Sequence, residues 1–298
     1  QRRTVGQHRR LVITMQTVLH SYSFRKYSLD HVYAVARAGA WPAVELSGWH
    51  LTDENTHRGV TAAVETGRRH GVAVYCVGYY GDFITTDHAE WKRAIDKVCD
   101  VVDACADNGV TLVNGFGGWL VRSRDELDNW CGNGSSIATE PMYRRVADAY
   151  REVAAYAADR GVRVAVEIHP NTVHDTVAST SRLLKLVDHE NLLITVDPSN
   201  AASLSPDDKD CDVVDLIAEQ VAYFHLKNCT IHNGVASFDV ETAAGLIDNY
   251  RWLERLVRLP RFAAVCIEYC GHGDPHPRIA AARRYLEETL RIIELTLP

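Results

Sequence analysis

Apolar, β-rich runs recur along the chain near residues 11–19, 43–47, 72–78, 110–114, 162–168, 192–196, 221–226 and 262–269. Between them lie stretches with apolar residues at helical spacing, among them SLDHVYAVARAG, HRGVTAAVETGRRHG, AEWKRAIDKVCDVVDACADNG, YRRVADAYREVAAYAADRG and PRIAAARRYLEETLRIIEL. Gly39, Gly71, Gly109 and Gly161 stand at the ends of helical stretches, just before the next strand, as helix-stop glycines. Eight strand-then-helix units in 298 residues predict a closed (β/α)8 barrel, read as a single domain over residues 1–298. No GxGxxG or P-loop element follows any strand, which argues against an open nucleotide-binding sheet.

One connection is unusually long. After the fourth strand, NGFGGWLVRSRDELDNWCGNGSSIAT occupies residues 114–139 before the next helix. A connection of that length in a compact domain is a lid, a binding loop or an insertion. Because it follows a strand, it is expected at the barrel mouth, where Phe116, Trp119 or Trp130 would cover a substrate.

The runs VRVAVEIHP, LLITVDPSN, VAYFHLKN and AAVCIEYCG carry Glu167, Asp197, His225 and Glu268 at their tails. The carboxyl ends of neighbouring strands in a parallel barrel converge on one mouth, so these four side chains are expected in a shared space. Three buried carboxylates repel one another and raise one another's pKa unless a cation joins them, and with an imidazole they form a divalent-metal ligand set. Helix capping explains one acidic residue at a strand end, and Asp197 in DPSN fits that role best. It does not explain a histidine third in a series on consecutive strands.

Composition narrows the partners. A formal net charge of −7 argues against a nucleic-acid surface. No apolar run approaches the roughly 20 residues of a membrane span, and LVITM after the basic start is too short for a secretory core of about 7–15 residues, so a soluble cytoplasmic protein is expected. The eight cysteines show no CxxC pair and read as reduced core thiols. The sequence leaves open a homo-oligomer or a partner subunit.

At these residues the chain resembles the xylose-isomerase-like TIM-barrel superfamily, the sugar phosphate isomerase/epimerase or AP-endonuclease-2 group. The segment HSYSFRKYSLDHVYAVARAGAWPAVELSGWH is similar to the family's opening βαβ unit, with a glutamate and a histidine after the second strand. VRVAVEIHP, ITVDPSN, FHLKN and CIEYCGHGDPHPRIAAARRYL resemble its metal glutamate, aspartate, histidine and last glutamate with closing helix. The resemblance implies one divalent metal on Glu167, Asp197, His225 and Glu268, Mn²⁺ first, with Mg²⁺, Co²⁺ and Zn²⁺ also suited to such ligands. It further implies a small carbohydrate substrate, with Glu167 and Glu268 exchanging protons on opposite faces of a carbon beside a carbonyl.

Two departures bear on the reaction. Where ketose 3-epimerases of this kind carry a histidine and an arginine that grip the substrate, this chain has Asn200 and Ile231. Lys227, two residues past His225 and so on the same side of the strand, is a candidate to steady an enolate oxygen or protonate a leaving hydroxyl; a salt bridge to a metal carboxylate is the plainer reading. His169 shares the inward direction of Glu167 as an acid/base or supporting residue, and His50, Trp49, Trp119 and Asn200 are candidate substrate contacts. The expected function is a metal-dependent isomerase or epimerase of a small keto sugar or related polyol through an enediolate. The alternative is a metal-dependent lyase or dehydratase acting on a cyclic keto sugar, an inosose or a 3-keto-glycoside, including C-glycoside cleavage. A DNA-repair endonuclease would need further ligands and a basic face that the first half does not supply.

Overall fold

The computed structural model describes residues 15–51, 56–122 and 132–297. Eight parallel strands close into a barrel: β1 (Gln16–His20), β2 (Ala43–Leu46), β3 (Ala73–Gly81), β4 (Leu112–Gly117), β5 (Arg163–Glu167), β6 (Leu192–Val196), β7 (Val221–Leu226) and β10 (Ala264–Ile267). Closure is made by β1, which pairs in parallel with both β2 and β10. This is the (β/α)8 architecture that the alternation of periods predicts. The first strand starts later than expected, and residues 11–14 lie outside the described segments.

The helices α1 (Leu29–Ala38), α2 (Thr56–His70), α3 (His88–Asp107), α4 (Glu140–Ala158), α5 (Val177–Val187), α7 (Asn249–Leu256) and α8 (Pro275–Thr296) follow their strands. After β6 there is only one short turn, α6 (Pro198–Ala202), and then a series of 3-10 turns. Side chains that accept backbone N–H groups mark several starts: Ser28 for α1, Asp87 for α3, Thr176 for α5 and Asp274 for α8. Gly71, Gly109 and Gly161 take φ values of 69°, 72° and 68° just past their helices, a region that glycine enters without a Cβ clash. Gly39 does not: its φ is −83°, and the left-handed residue of that turn is Ala40 at 53°.

Two apolar layers result. The larger fills the space between strands and helices, with Phe24, Tyr33, Ile95, Tyr150, Phe224 and Trp252 fully buried. The smaller fills the barrel, where Val18, Cys76, Ala165, Leu193, Tyr223 and Cys266 meet. Among the described residues Cys76, Cys99, Cys105, Cys211, Cys229, Cys266 and Cys270 are free thiols, and Cys131 lies outside the described residues. The inner plug sits below the carboxyl ends of the strands, so the chemistry-bearing side chains stand on its upper surface.

A hairpin, β8 (Thr230–His232) and β9 (Val235–Ser237), projects from the connection after β7. Its turn residues Asn233 and Gly234 both have positive φ, 52° and 78°, as a two-residue hairpin turn requires. Among the described residues no helix is long and apolar enough to cross a membrane.

Candidate metal centre and its cavity

Glu167 is the last residue of β5, Asp197 follows β6, His225 is the penultimate residue of β7 and Glu268 follows β10. These four strands are consecutive neighbours in the barrel. One ligand atom from each residue lies within 4.8 Å of the other three, and all four residues are buried. Ligands at roughly 2.1 Å from one ion stand up to about 4.2 Å apart, so a single cation fits with side-chain shifts of a few tenths of an ångström.

His225 explains why the site favours a cation. Its Nε2 lies 3.1 Å from Glu45 Oε2, and its Nδ1, buried and without a hydrogen-bond partner, faces Glu167 Oε1 at 3.4 Å, Glu268 Oε2 at 3.7 Å and Asp197 Oδ2 at 4.0 Å. Burial opposes a charged imidazole, yet the Glu45 and Glu167 carboxylates hold the His225 pKa well above its usual value. A metal ion on Nδ1 satisfies the same field without a proton. The carboxylates respond to one another: burial, resisted by Lys227 and reinforced by Glu167 and Glu268, pushes Asp197 up to about 6. For Glu268, burial is overcome by Lys227, His20 and His225, and its pKa falls below the usual carboxylate range.

Asp197 has two jobs on two oxygens. Oδ1 accepts the Asn200 backbone N–H at 3.0 Å as the N-cap of α6, and Oδ2 turns to the centre, accepting no hydrogen bond although Lys227 Nζ is 2.8 Å away. The capping and ligand readings of this residue are therefore compatible. Lys227 Nζ also lies 2.7 Å from Glu268 Oε2, which makes it an ion-pair partner of two of the candidate ligands. Four buried carboxylates, from Glu45, Glu167, Asp197 and Glu268, outnumber this single buried ammonium, and the residual negative charge suits a divalent ion. Such oxygen-rich ligands with one imidazole fit Mn²⁺, Mg²⁺, Co²⁺ or Zn²⁺.

Three residues around the centre, Glu45, Asn114 and His20, escaped the sequence reading as site residues. Glu45, third in β2, accepts Asn114 Nδ2 at 2.7 Å and the Tyr223 hydroxyl at 2.8 Å besides facing His225. With both its oxygens so engaged it orients the imidazole. Asn114 is fixed in turn by the Thr195 hydroxyl at 2.6 Å. His20 ends β1 and accepts the Tyr22 N–H on Nδ1 at 3.0 Å, which leaves Nε2 as the ring's donor, pointing to Glu45 Oε1 at 3.6 Å and Glu268 Oε1 at 3.8 Å. A signal for it was present: His20 ends an apolar run just as the four candidate ligands do.

A cavity of about 890 Å³ opens above the centre. Trp49, Trp119, His169, Asn200, Lys227, Glu167 and Glu268 all line it. His169 stacks on Phe116, ring centroids 3.8 Å apart, with Nδ1 2.9 Å from the Pro170 carbonyl. Asn200, expected to touch substrate, gives its Nδ2 to Glu167 Oε1 and the Ile168 carbonyl, each at 3.1 Å, and so positions the glutamate. His50 is not among the lining residues; its Nε2 turns to the Tyr27 carbonyl at 3.2 Å. It sits in a 3-10 turn, Gly48–His50, where strand alternation no longer directs side chains inward.

The long connection after β4 contributes Phe116 from the strand itself and Trp119 from just beyond it; Trp130 lies outside the described residues. Its two described ends are tied to the segment after β5: Leu120 N–H donates to the Asn171 carbonyl at 2.7 Å and Ser135 N–H to Asp175 Oδ2 at 3.0 Å.

A parallel barrel with one carboxylate-rich centre at the carboxyl ends of four adjacent strands defines the class. The family model for the xylose isomerase-like TIM barrel matches residues 32–289, and the chain belongs to that family. Among solved structures, the probable 3-DHS dehydratase AsbF of Bacillus anthracis superposes with a TM-score of 0.70 at 21% identity, over 92% of this chain and 99% of that one. A xylose isomerase-like TIM barrel protein of Mycobacterium smegmatis in complex with magnesium gives 0.71 at 13% identity, over 96% and 98%. The D-allulose 3-epimerase of a Methylomonas species in complex with D-allulose also gives 0.71 at 13%, over 93% and 98%. No curated protein matches the chain.

Proposed function

We propose that the protein is a divalent-metal-dependent isomerase or epimerase of a small keto sugar or related polyol that works through an enediolate. One observation carries this reading: Glu167 and Glu268 stand at the two ends of the four-strand ligand arc, with Asp197 and His225 between them, and both line the cavity. Two carboxylates on either side of one carbon are what removal and return of its proton require. A bound divalent cation supplies electrostatic stabilisation of the oxygen that gains charge as that proton leaves.

The residues divide the remaining work. Asn200 holds one oxygen of Glu167, so the second is the proton acceptor. Lys227, the sole lysine or arginine among the described cavity-lining residues, carries a charge that favours an oxyanion over a neutral ketone. With no phosphate-cradling glycine loop in the sequence and Lys227 already paired with Asp197 and Glu268, a non-phosphorylated substrate suits the cavity better than a sugar phosphate. The magnesium and D-allulose complexes of structural relatives give a precedent for both the ion and the substrate class.

A second reading is favoured by the same lysine. The Lys227 ammonium, 2.7 Å from Glu268, is placed to return a proton to a departing oxygen, as a lyase or dehydratase on a cyclic keto sugar, inosose or 3-keto-glycoside requires. A dehydratase is also among the structural relatives. Metal-loaded protein incubated in D₂O with keto sugars, inososes and 3-keto-glycosides, followed by NMR, separates the two. Deuterium in a recovered or epimeric sugar supports the first reading, an unsaturated or cleaved product the second, and neither exchange nor a new product with any substrate overturns both.

A further inference from the structure

The cavity mouth is divided between two chemistries. The metal-ligand side chains come from β5, β6, β7 and β10, which form one continuous half of the barrel. The opposite half carries aromatic rings: Tyr22 after β1, Trp49 after β2, Tyr80 on β3, Phe116 on β4 and Trp119 beyond it. These rings are in contact in two groups. Trp49 meets Tyr22 edge to face at 6.2 Å, while Phe116 meets Tyr80 at 5.7 Å and Trp119 at 6.2 Å. Trp49 is 62% exposed and Tyr80 49% exposed, although both are large hydrophobic side chains. Rings presented this way to a cavity are surface prepared for a ligand.

We infer that the cavity takes a two-part substrate, a keto sugar over the ligand arc carrying an aromatic substituent that packs among Tyr22, Trp49, Tyr80, Phe116 and Trp119. The inference rests on the keto-sugar reading and names its substrate class. Size agrees, because about 890 Å³ lies near the top of the roughly 300–1,000 Å³ that encloses drug-sized ligands, and a lone monosaccharide would leave the aromatic half unfilled. Polarity agrees as well. Glu45 and Asn114 hydrogen-bond one another at the floor of this half, and the Ser47 hydroxyl accepts the Trp49 backbone N–H, so these polar groups are already engaged beneath the rings. An anionic substituent meets no lysine or arginine on this half among the described lining residues, and Lys227 is paired with Asp197 and Glu268 on the other.

Calorimetric titration of the metal-loaded protein with phenyl β-D-glucoside, methyl β-D-glucoside and cellobiose tests this directly. Phenyl glucoside is expected to bind roughly tenfold tighter than methyl glucoside, the gain of a few ring contacts. In the Trp49→Ala/Tyr80→Ala double variant that ratio should fall to about twofold or less, with metal content and thermal transition as in the parent. Equal affinity for the phenyl and methyl compounds, no measurable phenyl glucoside binding, or a preference that survives both substitutions would overturn the inference. Cellobiose binding as tightly as phenyl glucoside would overturn it too, in favour of a second sugar. These glucosides do not react, so a failure of the deuterium-exchange test leaves the aromatic preference measurable in its own right.

Discussion

His225 is clamped by Glu45, whose Oε2 lies 3.1 Å from the ring Nε2, while the opposite ring nitrogen faces three carboxylates at 3.4–4.0 Å. The relation links the second strand to the seventh across the barrel. It keeps a hydrogen on Nε2 and leaves the Nδ1 lone pair for a cation, and it makes the imidazole a better donor by placing negative charge behind it.

Glu45→Gln removes that charge while keeping the size of the side chain. Metal affinity is expected to fall by about 10–100-fold with the far-ultraviolet spectrum unchanged. Titration of the purified variant with Mn²⁺ or Zn²⁺ checks this, and an affinity equal to the parent's would mean that Glu45 does no more than fill the barrel.

Asp197 offers a way to separate a structural role from a ligand role within one residue. Asp197→Asn retains an oxygen for the Asn200 N–H and should stay near parental stability, whereas Asp197→Ala also loses the cap of α6, worth about 1 kcal/mol. Both should lose metal, measured by elemental analysis after gel filtration. Full occupancy in both would remove Asp197 from the ligand set.

Much of this centre was legible in the sequence because strand ends are easy to find. Apolar, β-rich runs locate the strands, and a side chain that ends such a run is expected at the mouth whatever the loops do; Glu167, Asp197, His225 and Glu268 are all of that kind. Glu45 and Asn114 were not legible as site residues. Each is one polar residue inside a short apolar strand, and its meaning depends on partners 180 and 81 positions away, His225 and Thr195. His50 does not reach the cavity because it lies on a 3-10 turn, where two-residue alternation gives no guide to direction. Asn200 does line the cavity, and its hold on Glu167 comes from a helical turn that the alternation does not orient. The hairpin at 230–237 had a readable Asn233-Gly234 turn, but its three-residue strands are too short to show a period.

Lys227→Met tests whether the ammonium acts on substrate. In the metal-free protein Lys227 is counter-ion to Asp197 and Glu268, and a bound cation takes over that function, so metal affinity should stay equal or rise slightly. Turnover should drop by at least about 100-fold, the usual scale for loss of a positioned acid. A collapse of metal binding, read by the same titration, would return Lys227 to a purely structural role.

Asp175 ties the long connection after β4 to the segment after β5, and it is buried. Burial, only partly offset by hydrogen bonds from Ser135 and Ser179, pushes its carboxyl up to about 6. A carboxyl with a raised folded pKa contributes stability below its unfolded pKa near 3.9 and loses it as pH rises through the folded value. Urea melts should therefore show the Asp175→Asn protein gaining on the parent between about pH 4 and pH 6, by on the order of 2–3 kcal/mol, with the difference level above pH 7. A difference that does not vary across that window would contradict the assignment.

Proton abstraction itself is tested at Glu167 and Glu268. Glu167 has one oxygen held by Asn200 Nδ2, whereas Glu268 faces Lys227 Nζ with one oxygen and His20 Nε2 with the other. This asymmetry makes Glu167 the freer base, and Glu268 the group whose proton traffic can pass to a neighbouring acid. Glutamine at either position keeps a metal-capable oxygen and removes the one that takes the proton. For an epimerase, both single variants at saturating metal should lose interconversion by about 100-fold or more, with one of them still exchanging the substrate proton from a single face. For a lyase, Glu167→Gln should abolish elimination while Glu268→Gln retains a measurable part of it. Parental turnover in both variants would show that neither carboxylate removes a proton, and the enediolate route would fail for either class.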